Sequence, residues 1–288
     1  MTSGVSRVSQ DAYRDGQFTQ GRFFRWARRE GRPLRWTSSI RLSTGPRYAR
    51  RMCGRFTLAI QYEELAEELG VEPDPVIAEA YRPRYNIAPT DGNLVLRERD
   101  GRREIIPARF GLVNFWAKDL SAAARQINAR AETVREKPAF RDAFEHRRCV
   151  VPADGFYEWL REGPRAKTAF WFHPTEGKLL RFAGLYETWK DKVTGAQVRT
   201  FAILTTAAND VVGKVHDRMP ALLPADATDL WLAGPADEAF ALLGPAPESA
   251  LVAQRASSRV GNVRNDDPGL LHEEAPAQAE MPLFQRSR

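Results

Sequence analysis

The sequence predicts an α+β fold, a single β-rich domain with short helices at its periphery. Three observations lead there. Short runs rich in Val, Ile, Phe, Tyr and Trp recur between turn residues, especially from residue 93 onward. The segments with helical period are brief. Residues 52–270 contain neither an internal repeat nor a long linker, so one domain holds them all.

The elements follow in order. GRFTLAI at 54–60 reads as a strand, and QYEELAEELG at 61–70 as an amphipathic helix with Tyr62, Leu65 and Leu69 on one side and Gly70 as its stop. A Pro-rich connection, VEPDPV through YRPRYNIAPT, leads to NLVLRER and RREIIPARFGLV. These two strand-like runs are separated by Asp100-Gly101, a hairpin turn signal. The segment from Asn114 to Arg148 mixes loop and helix, with Pro138 opening a helix over 139–147. RRCVVPADGFYEWL, KTAFWFHP, KLLRFAGLYETW and VRTFAILTTAA then read as four strands. ATDLWLAG and ADEAFALLG suggest two short helices, and residues 271–288 a flexible tail.

The chain has 288 residues and a net charge of +6, unevenly placed. Residues 1–51 hold 12 Arg, no Lys and 3 acidic residues, a charge of +9; the remainder holds 31 basic and 34 acidic residues, a charge of −3. The basic character therefore belongs to the leader, and a nucleic-acid partner for the domain must be argued from local arginines. The leader shows no sustained period and reads as disordered. It is a transit peptide, a basic arm, or, as preferred here, a segment removed or placed ahead of a functional start at Met52. No apolar run approaches the roughly 20 residues that span a bilayer, and no secretory core is present, so a cytoplasmic protein is expected. The two cysteines, Cys53 and Cys149, make at most one disulfide, and no Cys/His spacing suits a metal. No cofactor is expected.

Five segments place reactive groups among turn residues and aromatics: CGRF, RYNIAP, INARAE, ADGFYEW and HDRMP. With Met52 removed, Cys53 carries an α-amine and a thiol on adjacent carbons. An α-amine has a pKa of about 7.7–8.0, so much of it is nucleophilic at neutral pH. It condenses with an aldehyde to an imine, and the thiol then closes a thiazolidine ring intramolecularly. The blander alternative is a small buried cysteine at a strand start. Glu158, among Phe156, Tyr157 and Trp159, is either a desolvated carboxyl suited to general acid or base work or a carboxylate facing solvent. His216, in VHDRMP, suits proton transfer at neutral pH or a structural role. Asn128, Arg130 and Glu132 project together if INARAE is extended. Arg55, two residues from Cys53, is placed to bring a phosphodiester to the nucleophile, and Phe115 and Trp116 are candidates for stacking on bases.

Taken together, MCGRF, PRYNIAP, INARAE, PADGFYEW, HDRMP and GNVRN, in this order between Met52 and about Asn265, resemble the SOS-response-associated peptidase family of abasic-site processing proteins. The resemblance implies a β-rich α+β fold with a basic groove for single-stranded DNA and no metal. It implies that Cys53 crosslinks to the ring-opened aldehyde of an abasic site, that Asn128 positions the terminus and the opened sugar, that Glu158 is the general acid/base, and that His216 assists ring opening. Arg55 and Arg130 would match DNA-backbone contacts, and removal of the leading residue would be a peptidase-like self-processing step. Phe110 and Asn114 stand where the family usually has Trp and Pro, which alters the loop that wedges against bases. Two other classes stay open: a thiol peptidase using Cys53 or Cys149 with His216, and a noncovalent single-stranded nucleic-acid binder.

Overall fold

A computed structural model describes residues 54–163 and 166–273. The leader over 1–51, Met52, Cys53 and the tail beyond 273 lie outside the described residues. The described residues belong to one compact unit, Arg50–Arg288. In chain order the elements are β1 (Phe56–Leu58), α1 (Tyr62–Glu68), α2 (Pro75–Ala80), β2 (Arg84–Ile87), β3 (Gly92–Arg99), β4 (Arg102–Phe110), β5 (Asn128–Arg130), α3 (Arg141–His146), β6 (Arg148–Ala153), β7 (Gly155–Arg161), β8 (Lys167–Pro174), β9 (Leu180–Lys190), β10 (Gln197–Ala207), α4 (Asp210–Gly213), β11 (Arg218–Pro220), α5 (Thr228–Ala233), α6 (Ala236–Ala241) and β12 (Leu251–Arg255).

Local chemistry explains these elements. Asp100 and Gly101 both take left-handed backbone, with φ of 53° and 74°, and close a two-residue hairpin in which Arg99 faces Arg102. Gly70 ends α1 at φ 66°, and Tyr62, Leu65 and Ala66 are its buried face. The Pro-rich connection holds more structure than its sequence predicts. Asp74 caps α2 by accepting from the amide of Val76 at 2.8 Å, with Pro75 as the first helical residue. Short β2 fits between Pro83 and Pro89 and pairs with β1. Strand β12 is likewise not expected from its sequence; among the described residues it pairs with β8 alone.

Strands β10, β4, β3, β6 and β9 pair in that order, and β9 pairs back to β10, closing a five-stranded barrel in which β10 and β4 run parallel and the other pairs antiparallel. The outgoing half of β10 continues past the barrel wall, where β5 runs parallel to it and β11 antiparallel. The second sheet is open, in the order β12-β8-β7-β1-β2.

RRCVVPADGFYEWL is two strands rather than the expected one. Strand β6 belongs to the barrel and β7 to the open sheet, and Asp154 turns the chain between them. Its carboxylate accepts from the Thr57 hydroxyl and the Ala59 amide, and from the Ile60 amide at 3.1 Å. Burial pushes the Asp154 carboxyl upward while these donors pull it down. At the next residue a Cβ would lie 2.1 Å from Nε1 of Trp171, so Gly155 lets β7 take in the Trp171 ring of β8.

Six phenylalanines join barrel and sheet. Phe56, Phe156 and Phe172 come from the open sheet, and Phe110, Phe182 and Phe201 from the barrel; all are buried. Phe56 meets Phe110 edge-on at 5.5 Å, Phe156 meets Phe182 at 6.0 Å, and Phe110 stacks on Phe201 at 5.1 Å. At about 1.5–3 kcal/mol for each buried ring, this seam is the main apolar tie between the two layers.

Candidate functional site

Strand β1 runs antiparallel to β7 with Phe56 opposite Phe156 and Thr57 opposite Gly155. The amide of Tyr157 donates to the carbonyl of Arg55 at 2.9 Å, so the pairing extends beyond the strand's first residue and brings Gly54 level with Glu158. Cys53 is covalently joined to Gly54 and lies outside the described residues. Glu158 is only 3% exposed, which overturns its reading as a solvent-facing carboxylate. It shares a strand face with Phe156 of the aromatic seam.

A second group gathers around the end of β10. Asn128 sits opposite Ile203 and Arg130 opposite Thr205. Arg130 is exposed. The extended stretch stops there. Residues Ala131–Thr133 form a 3-10 turn, so Glu132 leaves the alternation expected for INARAE and meets the guanidinium of Arg218 with both oxygens. Arg218 in turn donates to the carbonyl of Thr205 at 2.6 Å. Its carboxylate partner is held below the ordinary Glu value, chiefly by these hydrogen bonds.

His216 is buried, and its Nδ1 accepts from the Arg218 amide at 3.1 Å. The same nitrogen lies 3.2 Å from Oδ1 of Asp217, and one nitrogen cannot accept from the amide while donating to the carboxylate. The amide contact decides the tautomer, because the Asp217 side chain is 70% exposed and solvated by water. The neutral ring therefore carries its proton on Nε2.

Arg55 is half-buried. Its guanidinium donates to Oδ1 of Asn86 and, at 3.2 Å each, to the carbonyls of Val260 and Gly261. Asn86 is fully buried, and its Nδ2 reaches the carbonyls of Val260, Asn262 and Asn265 at 3.3, 3.1 and 2.8 Å. CGRF, RYNIAP and GNVRN are thus knitted around one amide. The sequence marked the three segments without showing that Asn86 links them.

The Phe115-Trp116 pair stands on a turn fixed at both ends. Before it, Gly111 at φ 118° lets the chain pass Ala123, whose carbonyl oxygen would lie 2.2 Å from any Cβ there. Asn114, in the position of the expected Pro, donates to the carbonyl of Ala139 at 2.8 Å, and Trp189 donates to the carbonyl of Ala117 at 2.9 Å. Phe110, in the position of the expected Trp, belongs to the buried seam. Between these anchors Phe115 and Trp116 are 59% and 57% exposed. Two adjacent large rings held in water are unusual outside a binding surface.

Cys149 lies in the barrel wall, fully buried against Gly184. Burial pushes its thiol up, which disfavours the thiolate that a peptidase needs. Of the thiol-peptidase alternatives, the one using Cys149 loses its nucleophile. The described site residues therefore form three groups: Arg55 with Glu158 on the open sheet, Asn128, Arg130 and His216 around β10, and the Phe115-Trp116 turn that β10 also anchors through Thr200, whose hydroxyl accepts from the Val113 amide at 3.0 Å.

The profile of the SOS response associated peptidase (SRAP) family matches residues 52–263. The chain belongs to this family. Among SRAP relatives, abasic site processing protein YoqW of Bacillus subtilis (strain 168) is 36% identical over 225 residues, covering 76% of this chain and 99% of that protein. Abasic site processing protein HMCES of Gallus gallus is 30% identical over 261 residues, with 76% and 77% covered. A crystal structure of a protein from Bacteroides thetaiotaomicron superposes with a TM-score of 0.70 at 26% identity, covering 77% of this chain and all of that one. The β-rich α+β SRAP fold expected from the sequence is the fold found.

Proposed function

We propose that this chain processes abasic sites in single-stranded DNA by forming a covalent thiazolidine crosslink through Cys53. The observation that carries the reading is the antiparallel pairing of β1 and β7, which brings Gly54, the residue after Cys53, level with a Glu158 carboxyl shielded from water. The family relatives named for abasic-site processing support the substrate class.

The chemistry balances without an oxidant or a metal. The free α-amine of Cys53 adds to the aldehyde carbon of the ring-opened sugar, and the carbinolamine loses water to give an imine. The thiol then adds across the C=N bond; sulfur bonds to the former aldehyde carbon and its proton ends on nitrogen. Glu158 is the general acid/base for loss of water and ring closure. His216 assists opening of the sugar through the Nε2–H, Asn128 holds the terminus and the opened sugar, and Arg130 supplies positive charge toward the backbone. Phe115 and Trp116 stack on bases beside the lesion.

An amide nitrogen is not nucleophilic, so Cys53 reacts only once the chain begins with it. Translation from Met52 with removal of that residue would expose the amine, as would self-processing by a peptidase-like step. Incubating the full chain and a chain starting at Met52 with an oligonucleotide bearing one abasic site, followed by a denaturing gel, tests this. A shifted band is expected from the chain whose mass confirms an N-terminal Cys53. Hydrolysis of an unrelated peptide would favour a Cys53–His216 thiol peptidase, and salt-sensitive binding without a covalent band a noncovalent binder.

A further inference from the structure

Asn86 has an environment that the crosslinking chemistry does not require by itself. It is a fully buried amide in a four-residue strand, and every polar atom of its side chain is engaged. Its oxygen receives the Arg55 guanidinium, and its nitrogen shares two protons among three carbonyls of the 260–265 turn. Arg55 also reaches that turn directly, through the carbonyls of Val260 and Gly261. On the other side, the Arg55 main chain is fixed by the Tyr157 amide, and the Tyr157 hydroxyl donates to the carbonyl of Tyr85, the neighbour of Asn86. Arg55, two residues after Cys53, is therefore held by β7 through its backbone and by Asn86 through its side chain.

We infer that Asn86 is a positioning residue for the reactive terminus: through the Arg55 fork it sets where Cys53 stands relative to Glu158. This rests on the function proposed above. Four carbonyl acceptors surround the guanidinium and the amide, and among the described residues no carboxylate pairs directly with Arg55. Burial accordingly lowers the Arg55 pKa, with Asp91 and Tyr157 opposing. A guanidinium whose donors already point at carbonyls of its own chain is oriented by them. A displaced nucleophile costs rate without costing affinity, and about 1 Å can cost up to about a hundredfold.

The test uses the chain starting at Met52, which retains nearly all of the compact unit from Arg50 and the whole family-matched segment, residues 52–263. Two quantities are read for wild type, Asn86→Ala, Arg55→Lys and the double variant. One is the single-turnover crosslinking rate at saturating abasic oligonucleotide; the other is affinity for the same strand without a lesion across a salt series. Arg55→Lys keeps the charge and loses the fork, and it remains informative if Asn86→Ala does not fold. Both single variants should lose about tenfold or more in saturating rate with affinity and salt slope unchanged, and the double variant should be no slower than the slower single. Normal saturating rates in a folded Asn86→Ala or in Arg55→Lys, or a loss confined to lesion-free affinity, would overturn the inference. Absence of any wild-type crosslink would instead overturn the proposed function, and this inference with it.

Discussion

The main-chain amide of Arg218 donates to Nδ1 of His216 at 3.1 Å, while the Arg218 side chain grips both oxygens of Glu132. One residue thus sets the histidine tautomer with its backbone and ties β11 to the end of β5 with its side chain. In nitrogen-15 spectra the neutral His216 ring should be protonated at Nε2. A neutral ring protonated at Nδ1 would show that the amide contact does not govern it.

The Glu132 clamp has a defined dependence on pH. Its carboxyl is depressed in the folded state, so its stabilisation is fully present above the unfolded Glu pKa and is lost as pH falls through the lower folded value. The Tm difference between wild type and Glu132→Gln should be constant above about pH 5 and shrink in more acidic solution. Because the Glu132 side chain is 52% exposed, the difference should correspond to no more than about 1 kcal/mol.

Replacing Phe115 or Trp116 by Ala should weaken binding of single-stranded DNA by about 1–3 kcal/mol per lost base stack. Both rings are more than half exposed, so stability should stay within about 0.5 kcal/mol of wild type. A filter-binding titration beside a thermal melt separates the two; a large fall in Tm with intact affinity would assign the rings to folding.

Gly111→Ala should act on the same turn from inside. The left-handed backbone at φ 118° and the 2.2 Å approach to the Ala123 carbonyl leave no room for a methyl group. A loss of about 2–3 kcal/mol or more is expected by denaturant titration, with DNA affinity falling as the turn shifts.

Much of the fold was legible because it depends on local chemistry. Asp100-Gly101 dictated its hairpin, Gly70 its helix end, and the alternating aromatic runs their strands. The break at Asp154 was hidden because it depends on Thr57, Ala59 and Ile60, nearly a hundred residues away, as capturing partners. Strands β2 and β12 are too short or too polar to announce themselves and exist through their neighbours. At the site, the residue types were legible in the motifs, whereas their wiring was not. Glu158 can be read from sequence equally as buried or exposed, and only the assembled fold leaves it 3% exposed. The motif marks Arg55 as a candidate phosphate ligand but gives no sign of the carbonyls of the 260–265 turn that its guanidinium meets. Glu132 left its expected company because the strand ends two residues earlier, at Arg130.

The most direct measurement is intact mass spectrometry of the chain starting at Met52 after incubation with a single-stranded abasic oligonucleotide. A species equal to the Cys53-terminated protein plus the oligonucleotide minus one water is expected. It should persist in Cys149→Ala, whose buried thiol contributes only about 1–2 kcal/mol of packing, and vanish in Cys53→Ala. An adduct that survives Cys53→Ala, or none from a protein confirmed to begin at Cys53, would contradict the assignment of Cys53 as the crosslinking residue.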